Sequence, residues 1–170
     1  QTASALRKVW IDAGIVLFRG IGTSPEDLLR LSRCLGELEP HPIEHFRLPG
    51  YPDLILLSNG GDLTGPVYEL DGVETYGRIP WHTDLAFTTT PNAGAVLRMV
   101  RNSEHGGQTG WIDTALAWES LGDDMKQRIE GLEACYTFSP NLEAMRFNKP
   151  NGKLVRSSSK TMPSFPPVAH

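Results

Sequence analysis

Trp81-His82-Thr83-Asp84-Leu85-Ala86-Phe87 is the stretch on which the reading of this chain turns. In a β-strand, residues i and i+2 project from the same face, so a strand over Trp81–Phe87 presents the His82 imidazole beside the Asp84 carboxylate. Such a pair supplies two of the three ligands of a 2-His-1-carboxylate facial triad, which leaves open positions on Fe(II) for substrate and oxygen. Alone, the pair says little. Five histidines and nine aspartates in 170 residues produce a His-x-Asp by chance about a quarter of the time. The competing reading is a surface strand carrying an exposed polar pair.

Upstream, Ala3–Asp12 reads as a helix with Leu6, Val9, Trp10 and Ala13 at three- and four-residue steps and Gly14 placed to end it. Ile15–Phe18 is a short β-type apolar run. Ser24-Pro25-Glu26-Asp27 is a helix start, with Ser24 as N-cap, Pro25 at the first helical position and Asp27 three residues after the cap. Leu28, Leu31 and Leu35 share one face of that helix, and Gly36 stops it. Leu54–Ser58 reads as a buried strand. Asn59–Ile79 is glycine-rich, polar and without period, and such long loops are usually functional. It immediately precedes the metal motif, so the expectation is a lid at the mouth of a site.

Downstream, Gly94–Val100 and Gly110–Asp113 read as further strands, separated by Thr/Pro and Gly-Gly turns. Asp113 or Thr114 caps a helix running to Leu121, and Asp123 caps another with Met125, Ile129 and Leu132 on one face. Leu132–Phe138 reads as a strand. Beyond Ser139 the sequence is polar and Pro/Ser-rich. Strands forming a core with helices attached make the expected class α+β, built on a β-sandwich or jelly roll.

Composition narrows the function classes. A net charge of −4, 39% apolar and 21% charged residues describe a globular chain with no electrostatic footprint for nucleic acid. No apolar run approaches the ~20 residues of a membrane-spanning helix. Cys34 and Cys135 sit among apolar neighbours and read as reduced, buried thiols of a cytoplasmic protein. Trp10, Trp81, Trp111 and Trp118 read as core aromatics. No Ser-His-Asp elbow, P-loop or Rossmann glycine pattern occurs.

Three motifs follow one another in order: Trp81-His82-Thr83-Asp84-x-x-Phe87, Thr89-x-Pro91-x-x-Gly94, and Gly106-Gly107-x-Thr109-x-Trp111. A Gly-Gly-Gln turn by itself is a hairpin signal. Together, the ordered set resembles the taurine/α-ketoglutarate dioxygenase (TauD/TfdA) family. The likeness extends from Ala5–Trp10 through Val16–Arg19 and Leu35–Leu38 to Ala117-Trp118-Glu119 and covers most of residues 1–138. The resemblance implies a double-stranded β-helix (jelly roll, cupin-like) that binds Fe(II) and 2-oxoglutarate. It implies oxidative decarboxylation of 2-oxoglutarate to succinate and CO2, coupled to hydroxylation of a substrate C–H by O2.

By that resemblance, His82 and Asp84 are iron ligands and Thr109 contacts the distal carboxylate of 2-oxoglutarate. His41 falls on a histidine that faces the substrate in sulfonate-oxidising members. Those members carry a tyrosine where this chain has Glu44, and an asparagine where it has Arg78, four residues before His82; Arg78 is a candidate contact for an anionic substrate. Downstream of Asp84 only His105, on a turn, and His170, after Pro166-Pro167, remain. Neither matches the family's distal histidine, and the last arginine is Arg156. The expectation is therefore a single domain incomplete at both ends, its third ligand and its 2-oxoglutarate-binding arginine lying beyond residue 170. The expected partners are a small-molecule substrate and O2, with neither nucleic acid nor membrane, and the expected assembly is a homo-oligomer. Two alternatives stay open: a non-catalytic jelly-roll module that binds a metal or a partner, and a zinc hydrolase, which lacks a His-Glu pair at helical spacing.

Overall fold

The computed structural model describes residues 2–58, 67–76, 79, 81–139, 153–156 and 163–170. They divide into two compact units that interleave in sequence: residues 1–38 with 96–134, and residues 39–95 with 135–170. Among the described residues, every α-helix falls in the first unit and every strand in the second.

In the first unit, α1 (Thr2–Ala13) stops at Gly14, whose φ of +72° suits a residue without a β-carbon and whose N–H donates to the Trp10 carbonyl at 2.8 Å. Leu6 and Trp10 are half-buried, whereas Val9 is exposed. The second helix, α2 (Pro25–Leu35), begins with the expected capping box. The Asp27 N–H donates to Ser24 Oγ at 3.1 Å, and the Ser24 N–H reaches Asp27 Oδ2 at 3.3 Å. The Ser24 contacts, followed by Arg30 at 2.6 Å, hold the Asp27 carboxyl below its ordinary pKa. Leu29 is the buried residue of α2; Leu28, Leu31 and Leu35 are only half-buried. Arg7 Nη1 donates to the Leu35 carbonyl at 3.0 Å, tying α1 to the end of α2, and Arg98 donates to the Ser24 carbonyl.

Asp113 caps α3 (Thr114–Glu119) by accepting from the N–H groups of Ala115 and Leu116 at 2.9 and 3.1 Å. The fourth helix, α4 (Asp123–Ile129), differs from expectation at its start. Gly122 occupies the cap, and Asp123 and Asp124 fall in the first turn, where carboxylates offset the helix dipole.

Among its described residues, the second unit holds three small antiparallel sheets. β1 (Arg47–Leu48) pairs with β2 (Tyr51–Ile55), so the strand expected over Leu54–Ser58 lies upstream of that position and leaves Leu56 and Leu57 exposed. β3 (Val67–Leu70) and β4 (Val73–Tyr76) form a hairpin across Asp71-Gly72, where φ is +51° and +79°. Positive φ at both central residues matches the right-handed twist of the flanking strands. This overturns the expectation of a periodless loop for residues 67–76. The rest of the expected lid, residues 59–66 and 77–78, lies outside the described residues, and Arg78 with it. β6 (Lys153–Arg156) pairs with the other side of β3. β3 is therefore the central strand of three, and Val67 and Tyr68 are 1% and 3% exposed. β5 (Cys135–Tyr136) pairs with β7 (Val168–Ala169).

Several expected strands do not form. Ile15–Phe18, Gly94–Val100 and Gly110–Asp113 have no ladder partner, and β-forming residues make a strand only where another strand pairs with them. Trp81–Phe87 is a turn, and Leu132–Phe138 is reduced to β5. Both cysteines are exposed rather than buried. Trp10 is half-buried, but Trp81, Trp111 and Trp118 are between 48% and 63% exposed and do not form a core. No helix of the described residues is long and apolar enough to cross a membrane.

Candidate metal centre

His82 and Asp84 meet, though not on a strand. The backbone turns after Thr83: the Ala86 N–H approaches the Thr83 carbonyl at 3.5 Å, and the Thr88 N–H donates to the Leu85 carbonyl at 2.9 Å. Leu85, immediately after Asp84, takes a left-handed φ of +54°. A β-carbon makes this region unfavourable by about 1–2 kcal/mol, and such strain persists only where neighbours over-determine the backbone. The Thr88 hydroxyl also donates to the Leu85 carbonyl at 2.8 Å and lies 2.9 Å from that of Thr90, closing the turn. The left-handed residue ends the pleat that a strand over Trp81–Phe87 requires.

Within this turn, His82 Nε2 lies 2.9 Å from Asp84 Oδ1, with the two side chains 51% and 55% exposed. That separation fits a shared metal ion. Two donor atoms with bonds of about 2.1 Å meeting at a right angle stand about 3 Å apart. One imidazole and one carboxylate are a mixed donor set suited to a divalent transition metal. Among the described residues no third His, Cys, Asp or Glu joins them.

His41 belongs to the same unit. Its own N–H reaches the Pro52 carbonyl at 3.4 Å, and its carbonyl accepts from Arg47 Nε at 2.7 Å. His41 Nδ1 lies 3.1 Å from the Ile43 backbone nitrogen and 3.3 Å from the Ile43 carbonyl oxygen. Burial pushes the His41 pKa down, and the Arg47 guanidinium pushes the same way. The Ile43 carbonyl and the Asp84 carboxylate oppose that shift, so His41 lies within the electrostatic reach of the candidate metal ligand. Glu44 is an exposed residue 3.5 Å from Arg47.

Thr109 lies in the first unit, on an exposed segment after Gly106 and Gly107, whose φ values are +71° and +76°. Ser103 Oγ donates to the Gly106 carbonyl at 2.8 Å, so the Gly-Gly turn exists, but no strands flank it. His105 is exposed on this turn.

One contact to the metal-motif turn had no counterpart in the sequence reading. His170, directly after β7, places Nε2 3.1 Å from the carbonyl oxygens of both Ala86 and Thr88. Beside it, Phe87 packs against Phe138 and Phe165 with ring centroids 4.6 and 4.9 Å apart. Nothing local signals these contacts, because the histidine and Ala86 are 84 residues apart.

Comparison with known proteins agrees with the motifs. Residues 1–168 match the family described as "Taurine catabolism dioxygenase TauD, TfdA family". Pentalenolactone F synthase of Streptomyces avermitilis is 30% identical over 143 residues, covering 81% of this chain and 46% of that protein. The alpha-ketoglutarate-dependent 2,4-dichlorophenoxyacetate dioxygenase of Cupriavidus pinatubonensis is 27% identical, covering 76% and 47% respectively. The alpha-ketoglutarate-dependent sulfate ester dioxygenase of Pseudomonas putida is 25% identical, covering 91% and 47%. The chain spans about half the length of these relatives. No solved structure matches significantly. A family match over nearly the whole chain places this protein in the TauD/TfdA family.

Proposed function

We propose that the protein is an Fe(II)/2-oxoglutarate-dependent dioxygenase that hydroxylates a small anionic organic substrate with release of succinate and CO2. The observation that carries this reading is the 2.9 Å approach of His82 Nε2 to Asp84 Oδ1 inside the family's motif. Bound Fe(II) and 2-oxoglutarate supply the O2 activation that couples decarboxylation to C–H hydroxylation. His82 and Asp84 hold the metal from one side, and the carboxylate offsets part of its charge. The fold is assigned to a double-stranded β-helix in one domain.

Thr109 enters this reading through the Gly-Gly-x-Thr motif, as the residue that orients the distal carboxylate of 2-oxoglutarate. His41, whose burial favours the uncharged ring, is the residue assigned to face the primary substrate. Arg78 supplies the positive charge for an anionic group. Support for an anionic substrate comes from the relatives named for 2,4-dichlorophenoxyacetate and sulfate esters. The proposed setting is the cytoplasm, with a homo-oligomeric assembly and neither nucleic acid nor membrane as partner.

The test supplies Fe(II), 2-oxoglutarate, O2 and a panel of aryloxy carboxylates and alkyl sulfates to protein carrying residues 1–170, and measures succinate. Succinate formation stimulated by one of these anions, and abolished by Asp84→Ala, is the expected result. Equal succinate in wild type and Asp84→Ala would overturn the assignment.

A further inference from the structure

We propose that His170 is a positioning residue that latches the strained turn after Asp84 onto the β5–β7 pair; the proposal rests on the metal-site reading above.

Three observations converge on this turn. Its own hydrogen bonds use the carbonyls of Thr83, Leu85 and Thr90, while His170 Nε2 lies 3.1 Å from both of the Ala86 and Thr88 carbonyls. One ring N–H shared between these two acceptors spans the backbone on either side of Phe87. Between the metal ligand and this clamp sits Leu85 at φ +54°, a conformation that relaxes unless its surroundings hold it.

The histidine is itself fixed from two sides. β7 sets its backbone through the register Cys135↔Ala169 and Tyr136↔Val168. The imidazole packs on the Tyr136 ring at 5.8 Å between centroids. Phe87, held between Phe138 and Phe165, adds an apolar anchor from the same segments. The direction in which Asp84 presents its carboxylate to His82 thus depends on a residue far away in sequence. His170 Nε2 is engaged with backbone oxygens, which suits a positioning role.

The test uses protein carrying residues 1–170 and three variants. His170→Phe and His170→Leu remove the donor, the first keeping an aromatic ring against Tyr136. His170→Gln keeps N–H donors. Amide hydrogen exchange is followed at Ala86 and Thr88, with the β3 amides of 67–70 as internal reference, and Co(II) affinity is measured in parallel. Loss of one such hydrogen bond should speed exchange at Ala86 and Thr88 by about five- to tenfold in the donor-free variants. The reference stays unchanged, Co(II) binding weakens by a similar factor, and His170→Gln restores most of both.

Unchanged exchange at Ala86 and Thr88 in the donor-free variants would overturn the latch. Acceleration spread equally over β3, or no rescue by Gln, would do the same. Absence of Co(II) binding by the wild type would remove the metal-site reading, while the exchange comparison would still decide whether His170 holds the turn.

Discussion

The Tyr68 hydroxyl offers a test in which the sign of the effect is informative. Tyr68 occupies the central strand β3, is 3% exposed, and its hydroxyl has no hydrogen-bond partner among the described residues. Leaving such a group buried and unpaired costs about 1–3 kcal/mol. Tyr68→Phe removes the orphan oxygen and keeps the ring. Part of the gain is lost to the small void left behind, so the expected outcome is stabilisation by about 1 kcal/mol, a rise of roughly 2–4 °C in Tm for a chain of this size. The neighbouring Val67→Ala is the control. It deletes two buried methyl groups at a site 1% exposed and should cost about 2 kcal/mol. Urea and thermal unfolding of both variants give the two numbers. Destabilisation of Tyr68→Phe by 0.5 kcal/mol or more would show that the hydroxyl has a partner in solution, and the reasoning about β3 would fail.

Ser24→Ala removes the side-chain half of the α2 cap and should cost about 1 kcal/mol in unfolding free energy, whereas Ser24→Asp should retain most of it. Burial holds the folded-state pKa of His41 below its ordinary value of 6.5, so the unfolded chain binds more protons as pH falls. The stability associated with neutral His41 is then full above about pH 6.5 and declines as pH falls toward the lowered folded value; His41→Gln should flatten that part of the Tm–pH curve. Arg78→Ala should raise KM for an anionic substrate and leave KM for 2-oxoglutarate little changed. Equal KM values for every anion turned over would remove Arg78 from the site.

Local signals were the legible ones. The capping box at Ser24 and Asp27, the stop at Gly14 and the Asp113 cap each depend on residues within four positions, and each formed as expected. The proximity of His82 and Asp84 was also legible, but the i, i+2 strand argument gave the wrong cause, because a left-handed Leu85 makes the segment a turn. The β3–β4 hairpin was missed although Asp71-Gly72 between Val67-Tyr68 and Val73 is a hairpin signal; the surrounding glycines masked it. Ile15–Phe18 shows the converse error, since β propensity cannot supply a partner strand. Apolar neighbours in sequence do not bury Cys34 and Cys135, nor does aromatic character bury Trp81, Trp111 and Trp118, because burial depends on which faces meet. The His170 contacts arise from the pairing of β5 with β7, so no sequence window contains them.

Metal affinity at the His82–Asp84 pair tests the central claim most directly. Anaerobic Fe(II) titration by calorimetry, on protein carrying residues 1–170, compares wild type with His82→Ala, Asp84→Ala and His105→Ala. Outer-shell partners of metal ligands are already worth about 10–100-fold in affinity. Loss of a ligand should therefore weaken binding by at least about a hundredfold in the first two variants, with His105→Ala matching wild type. Fe(II) affinity unchanged by both His82→Ala and Asp84→Ala would contradict the account.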